Sequence, residues 1–186
     1  MKKQVFTFII FLRSLKTKTI VMKKIIIFFS VAALIASCSD SDHATNNESI
    51  SVVQKYVQAV QSKNVDSMAA LLSDDYIGYG PSFTDSINKA DAVASWKDLV
   101  ANLYDSFQFT RSFDLASKVT EGPRPGDYVS SWSSVRITYK NGKGPVNLFV
   151  NVIYRIENGK IAMSRTFYDE ADAMRQLGYQ FVPPAQ

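Results

Sequence analysis

From residue 49 onward the hydrophobic positions recur first at helical spacing and later in alternation. Ile50, Val53, Val57 and Val60 fall three and four residues apart in ESISVVQKYVQAVQSK, which gathers them on one side of a helix and predicts a first amphipathic helix over about Ser49–Ser62. A second, shorter helix is predicted over Val65–Leu72, with Asn64 as its cap. DYIGYGP reads as a short strand closed by Gly80 and Pro81. Asn88 then caps KADAVASWKDLVANLY, where Ala92, Val93, Trp96, Leu99, Val100 and Leu103 form the apolar stripe of a third helix.

Beyond that helix the period becomes two. FQFTRSFDLASKVT, YVSSWSSVRITY, VNLFVNVIYRI and KIAMSRTFY read as strands, with EGPRPGD as a loop and with hairpin signals at KNGKG and at Asn158–Gly159. DEADAMRQLGY closes the chain as a helical turn ending at Gly178. Helices first and strands afterwards is an α+β layout. A curved antiparallel sheet wrapped around three helices leaves a conical cavity at its open end. Leu148, Val150, Val152, Tyr154 and Ile156 share one strand face, and Asn147, Asn151 and Arg155 share the other, so alternation turns the first set inward. Trp132 lies on the opposite face from Ser133, Val135 and Ile137, which leaves it outside as an anchor for a partner.

The segment before residue 49 has a different character. Lys23 and Lys24 precede an apolar run from Ile25 to Ile35, followed by the small residues Ala36 and Ser37 and the chain's one cysteine, Cys38. Charged start, apolar middle and small residues at the cut have the order of a secretory signal. The run is shorter than the roughly 20 apolar residues that span a bilayer. LIASC resembles the lipobox of bacterial lipoproteins, which implies cleavage before Cys38 and acylation of that cysteine. Residues 1–37 are thus expected to be a signal region with its true start at Met22, residues 38–48 a lipidated flexible tether, 49–180 a folded domain, and 181–186 a tail. Asp40 and Asp42, just after the cysteine, look like the surface-export signals of some Gram-negative lipoproteins and equally suit a solvated tether. The expected location is the cell envelope, at the outer membrane or cell surface more than the inner membrane.

Removing the leader changes the charge. Seven of the 21 basic residues precede Cys38, where no acid occurs, so 14 remain against 17 acids, a net charge of −3. The basic balance of the whole chain therefore belongs to the signal, and no nucleic-acid partner is expected. The one histidine, His43, falls in the tether, which removes His-based triads, bases and metal sites from the folded part. No metal or cofactor is expected.

KYVQAVQSKNVDSMAALLSDDYIGYGP resembles the start of the nuclear transport factor 2-like superfamily, and YRIENGKIAMSRTFYDEADAMRQLG is similar to its SnoaL-like ending. The resemblance covers nearly all of residues 49–179. It implies the cone-shaped fold of ketosteroid isomerase, limonene epoxide hydrolase, scytalone dehydratase and polyketide cyclases, a fold that serves enzymes, binding proteins and assembly modules alike. By resemblance, Tyr56 stands at the isomerase's oxyanion tyrosine, its base position falls at Gly80, and its protonated acid falls near Val152. The cyclase acid falls at Thr166. Glycine and valine exchange no proton, and a threonine hydroxyl does not replace a carboxylic acid. Asp74 and Asp75 offer a pair of carboxylates, but by the resemblance such acids end the second helix; Asp169 is read as capping the last one.

The resemblance also turns Ser164, Thr166 and Tyr168 inward and makes Trp96 a pocket wall, although each of these aromatics serves equally as core. Tyr56, Trp96, Ile137, Val152, Ser164, Thr166 and Tyr168 are thus the expected lining of a pocket for a small, largely apolar molecule. Binding without turnover is the leading reading. An enzyme with relocated acid and base groups is the second, with Tyr56, Tyr168 and Tyr79 as its acids. A homodimer or interaction module formed through the outer sheet face is the third.

Overall fold

The computed structural model describes residues 39–182. The chain divides between His43 and Ala44 into two units, and the fold below is that of the second, Ala44–Gln186. Cys38, the leader and residues 183–186 lie outside the described residues.

Helix α1 (Ser39–Gln61) begins well before the expected Ser49, so residues 39–48, read from the sequence as a flexible tether, are helical. No glycine or proline occurs between Ser39 and Gln61. The ladder set by the apolar repeat therefore runs back through polar residues that each disfavour a helix only slightly. Lys63, at φ 56°, turns the chain into α2 (Val65–Leu71), where Asn64 Oδ1 accepts from the Ser67 amide at 3.0 Å. Strand β1 (Leu72–Tyr79) follows directly, then β2 (Ser86–Asn88) and α3 (Lys89–Asn102). Asn88 ends β2 and also caps α3, its Oδ1 accepting from the Asp91 amide at 3.0 Å. The remaining elements are β3 (Tyr104–Val119), β4 (Gly126–Tyr139), β5 (Val146–Glu157), β6 (Lys160–Phe167) and α4 (Glu170–Gln176), the last capped by Asp169.

The six strands form one sheet in the order β2-β1-β6-β5-β4-β3. Every pair is antiparallel except β1 with β6, which run parallel, so the sheet is mixed where an antiparallel one was expected. Periodicity fixes which face of a strand is apolar but carries no information about a neighbour some eighty residues away, and β2, at three residues, is too short to show a period. Asn158 (φ 51°) and Gly159 (φ 71°) occupy the two left-handed positions of a tight β5–β6 turn, as their sequence signals.

The concave side of the sheet meets α1 and α3. Val53, Leu72, Tyr76, Ala92, Val129, Tyr154, Ile156 and Ile161 form one buried cluster; Ala59, Val60, Met68 and Phe107 form a second. The large aliphatic side chains among them each contribute about 1.5–3 kcal/mol by leaving water. On β5 the alternation holds as predicted: Leu148, Tyr154 and Ile156 are buried, whereas Phe149 is 80% exposed.

Candidate ligand-binding site

Strand alternation and helix spacing bring the predicted residues to one place. Tyr56, Trp96, Ile137, Val152, Ser164, Thr166 and Tyr168 all line a single cavity of about 450 Å³. This is within the range of small-molecule sites, roughly 300–1,000 Å³. Helix α1 supplies Tyr56 and, one turn on, Val60; α3 supplies Trp96; β4 and β5 supply Ile137 and Val152 from their inner faces; and β6 supplies Ser164 and Thr166. On β5 and β6, Val152 stands directly opposite Thr166.

Burial separates a closed end from a mouth. Tyr76 and Tyr154 are buried at the closed end, Tyr139 and Tyr168 are half-buried, and Glu170 is exposed at the rim. Tyr76 Oη lies 2.7 Å from Ser164 Oγ. Tyr56 meets Tyr154 edge-on, with centroids 6.2 Å apart at 67°. Burial pushes the Tyr56 and Tyr154 phenols well above the usual tyrosine range and raises that of Tyr76, and their mutual proximity adds to the shifts of Tyr56 and Tyr154. These groups are neutral hydroxyls at any physiological pH. They can hold a ligand oxygen but are poor proton donors or bases.

Trp96 and Tyr104 pack against the buried Phe107 with centroids 4.8–6.4 Å apart, and Tyr104 reaches the half-buried Tyr139 at 5.5 Å. Tyr168 is pushed up by burial first, then by the nearby carboxylate of Glu170, by Tyr139 and by Asp85. Six of the chain's nine tyrosines line the cavity, which makes it a hydroxyl-studded apolar space rather than a greasy one. Among the described residues no group of three or more His, Cys, Asp or Glu side chains is placed to hold a metal.

Sequence reasoning missed Tyr76, Tyr104, Tyr139 and Glu170 as lining residues, and it counted Tyr154 only as core. Glu170, Ala173, Met174 and Leu177 all line the mouth at helical spacing, a periodicity that was legible but read only as a closing turn. Asp74 and Asp75 do not end the second helix; they lie in β1, outside the cavity. There Asp74 pairs with Lys89 at 2.9 Å, Asp75 accepts from Ser73 Oγ at 2.7 Å, and these partners hold both carboxyls below their ordinary range.

A family model for the SnoaL-like domain matches residues 53–163. The chain belongs to the SnoaL-like family. A comparison with curated proteins found no match. Among solved structures, this SnoaL-like domain is similar to a candidate polyketide cyclase from Xanthomonas campestris pv. campestris (17% identity, 71% of this chain and 98% of that one, TM-score 0.60). It is also similar to an LEH-like epoxide hydrolase from M. tuberculosis (18% identity, 72% and 91%, TM-score 0.54). A candidate isomerase from Bacillus subtilis is likewise similar (13% identity, 74% and 97%, TM-score 0.58). At these identities the likeness is one of fold.

Proposed function

We propose that this SnoaL-like domain binds a small, largely apolar molecule in its tyrosine-lined cavity and does not turn it over. The observation that carries the reading is the lining itself: apolar walls, neutral phenols, and valine and threonine at the two cavity positions where the family resemblance expects carboxylic acids. Native mass spectrometry on protein purified gently from its own cell extract tests this. A co-purified small molecule, lost in a Tyr56→Ala, Trp96→Ala variant, is the expected result, and a consistently empty cavity counts against it.

One observation favours an enzyme as the second reading. A Cβ added at Gly80, the expected base position, would lie 2.9 Å from Asp85 Oδ2, so a carboxylate stands beside the place the family's base would leave vacant. Turnover of an epoxide or an unsaturated ketone that disappears in Asp85→Asn would replace the binding reading with this one.

The proposal extends to the chain's setting. Among the described residues no helix is long and apolar enough to cross a membrane. The signal-like leader and LIASC support acylation at Cys38 and attachment to the cell envelope, at the outer membrane or the cell surface. A Cys38→Ala chain is then expected in the soluble fraction; if it stays with membranes through a high-salt wash, the anchor lies elsewhere. Exposed Trp132, Phe149 and Phe167 on the convex sheet face support a homodimer formed there.

A further inference from the structure

We infer that the molecule this cavity takes is an amphipathic organic cation, an alkylated ammonium compound whose apolar body fills the closed end and whose nitrogen rests at the mouth among the rings of Tyr104, Tyr139 and Tyr168 and the carboxylate of Glu170. The inference rests on the binding reading above and gives its ligand a chemical class.

The charge of the wall selects the ligand. Among the described residues no lysine or arginine lines the cavity, and Glu170 is the one lining residue that carries a formal charge. Its neighbours in the same turn are paired: Arg175 reaches Asp169 at 3.7 Å and Asp172 at 3.5 Å. Glu170 has no ion-pair or hydrogen-bond partner among the described residues. An anion entering here would meet the Glu170 carboxylate and no cation in the lining. A cation meets that carboxylate and a cluster of electron-rich aromatic rings, and alkylation weakens its hydration so that less is lost on entry.

The closed end adds no second charge. Tyr76 is engaged with Ser164, and Tyr56, Tyr76 and Tyr154 are neutral phenols, so an alkyl or aryl body lies against them without stranding a charge.

The test is calorimetric titration of the full-length chain with three probes that share a six-carbon tail: hexyltrimethylammonium, 1-hexanol and hexanesulfonate. Hexyltrimethylammonium is expected to bind about tenfold tighter than 1-hexanol, with hexanesulfonate the weakest. Glu170→Gln should weaken the cation about threefold and leave 1-hexanol unchanged. Because Glu170 is exposed, that variant is expected to keep the wild-type circular dichroism spectrum. Tyr139→Phe, which keeps a ring face, should hold the cation, whereas Tyr139→Leu should lose about threefold. Equal or tighter binding of 1-hexanol or hexanesulfonate, or a Glu170→Gln variant that binds the cation as the wild type does, overturns the cation assignment and leaves the cavity a binding site. Failure of all three probes to bind overturns both.

Discussion

Gly78 shows how tightly the closed end of the cavity is determined. A Cβ there would lie 2.5 Å from Tyr76 Oη and 3.1 Å from Ile87 Cγ2, so the glycine is what lets the phenol lie back along its own strand and reach Ser164. Gly78→Ala should therefore displace the Tyr76 hydroxyl and destabilise the domain by about 1–3 kcal/mol, as overpacking does; a urea midpoint and the loss of ligand affinity would read both effects. The tyrosines make a second prediction. Burial raises the pKa of Tyr154 most clearly, with Tyr56 and Tyr76 adding to it, so the folded chain holds this proton at pH values where the unfolded chain releases it. The associated stability is present below the ordinary tyrosine value of about 10 and is lost as pH rises above it. Thermal melts between pH 9 and 11 should fall more steeply for the wild type than for Tyr154→Phe, because lysine titration is common to both. The residue types of this site were legible in the sequence, since alternation turned Val152 and Tyr154 inward. That Tyr76 folds back onto Ser164 was not, because it depends on a parallel strand pair that no local pattern reveals.

Among the elements, α3 carries Trp96 into the cavity wall and owes its start to one side chain. Asn88 Oδ1 accepts from the Asp91 amide at 3.0 Å while its Nδ2 donates to Asp91 Oδ2 at 2.8 Å, closing a reciprocal pair at the first turn. Asn88→Ala should lower stability by about 1 kcal/mol with an unchanged urea m-value, the sign of a lost cap rather than an altered unfolded state. Caps and tight turns were readable because they are local: Asn64, Asn88, Asp169 and the Asn158–Gly159 turn all act within four residues of themselves. The start of α1 was misread for the complementary reason. The predicted boundary followed the apolar repeat, but a helix continues through polar residues until something stops it, and nothing in residues 39–48 does.

For the molecule as a whole, the convex face of the sheet is as aromatic as the cavity. Trp132 is 53% exposed, Phe149 80%, Phe167 44% and Phe113 59%, each facing away from the cluster that its strand buries. Strand pairing sets them close together: Trp132 lies opposite Phe113 on one side and Asn151 on the other, and Asn151 in turn pairs with Phe167. A shallow hollow of about 520 Å³ runs between Trp132, Phe149 and Phe167, with Arg111 at its edge. Only Trp132 was singled out from the sequence, although alternation places Phe149 and Phe167 on the same side. Phe113 follows the register shift around Arg111, which no period predicts. Four large rings facing water on one sheet face are more than a monomer ordinarily leaves uncovered, and a second copy of the same face would cover them by two-fold symmetry. Sedimentation equilibrium on residues 44–186 should then give a dimer mass that falls toward the monomer on dilution. A Trp132→Ser, Phe149→Ser chain should stay monomeric with an unchanged melt, because both rings are exposed and neither belongs to the buried clusters. A wild type that remains monomeric at high concentration would instead leave this face to a different protein. Because the cavity opens on the concave side, ligand affinity should be the same in monomer and dimer, and a dilution series of the cation titration would detect any coupling between the two faces.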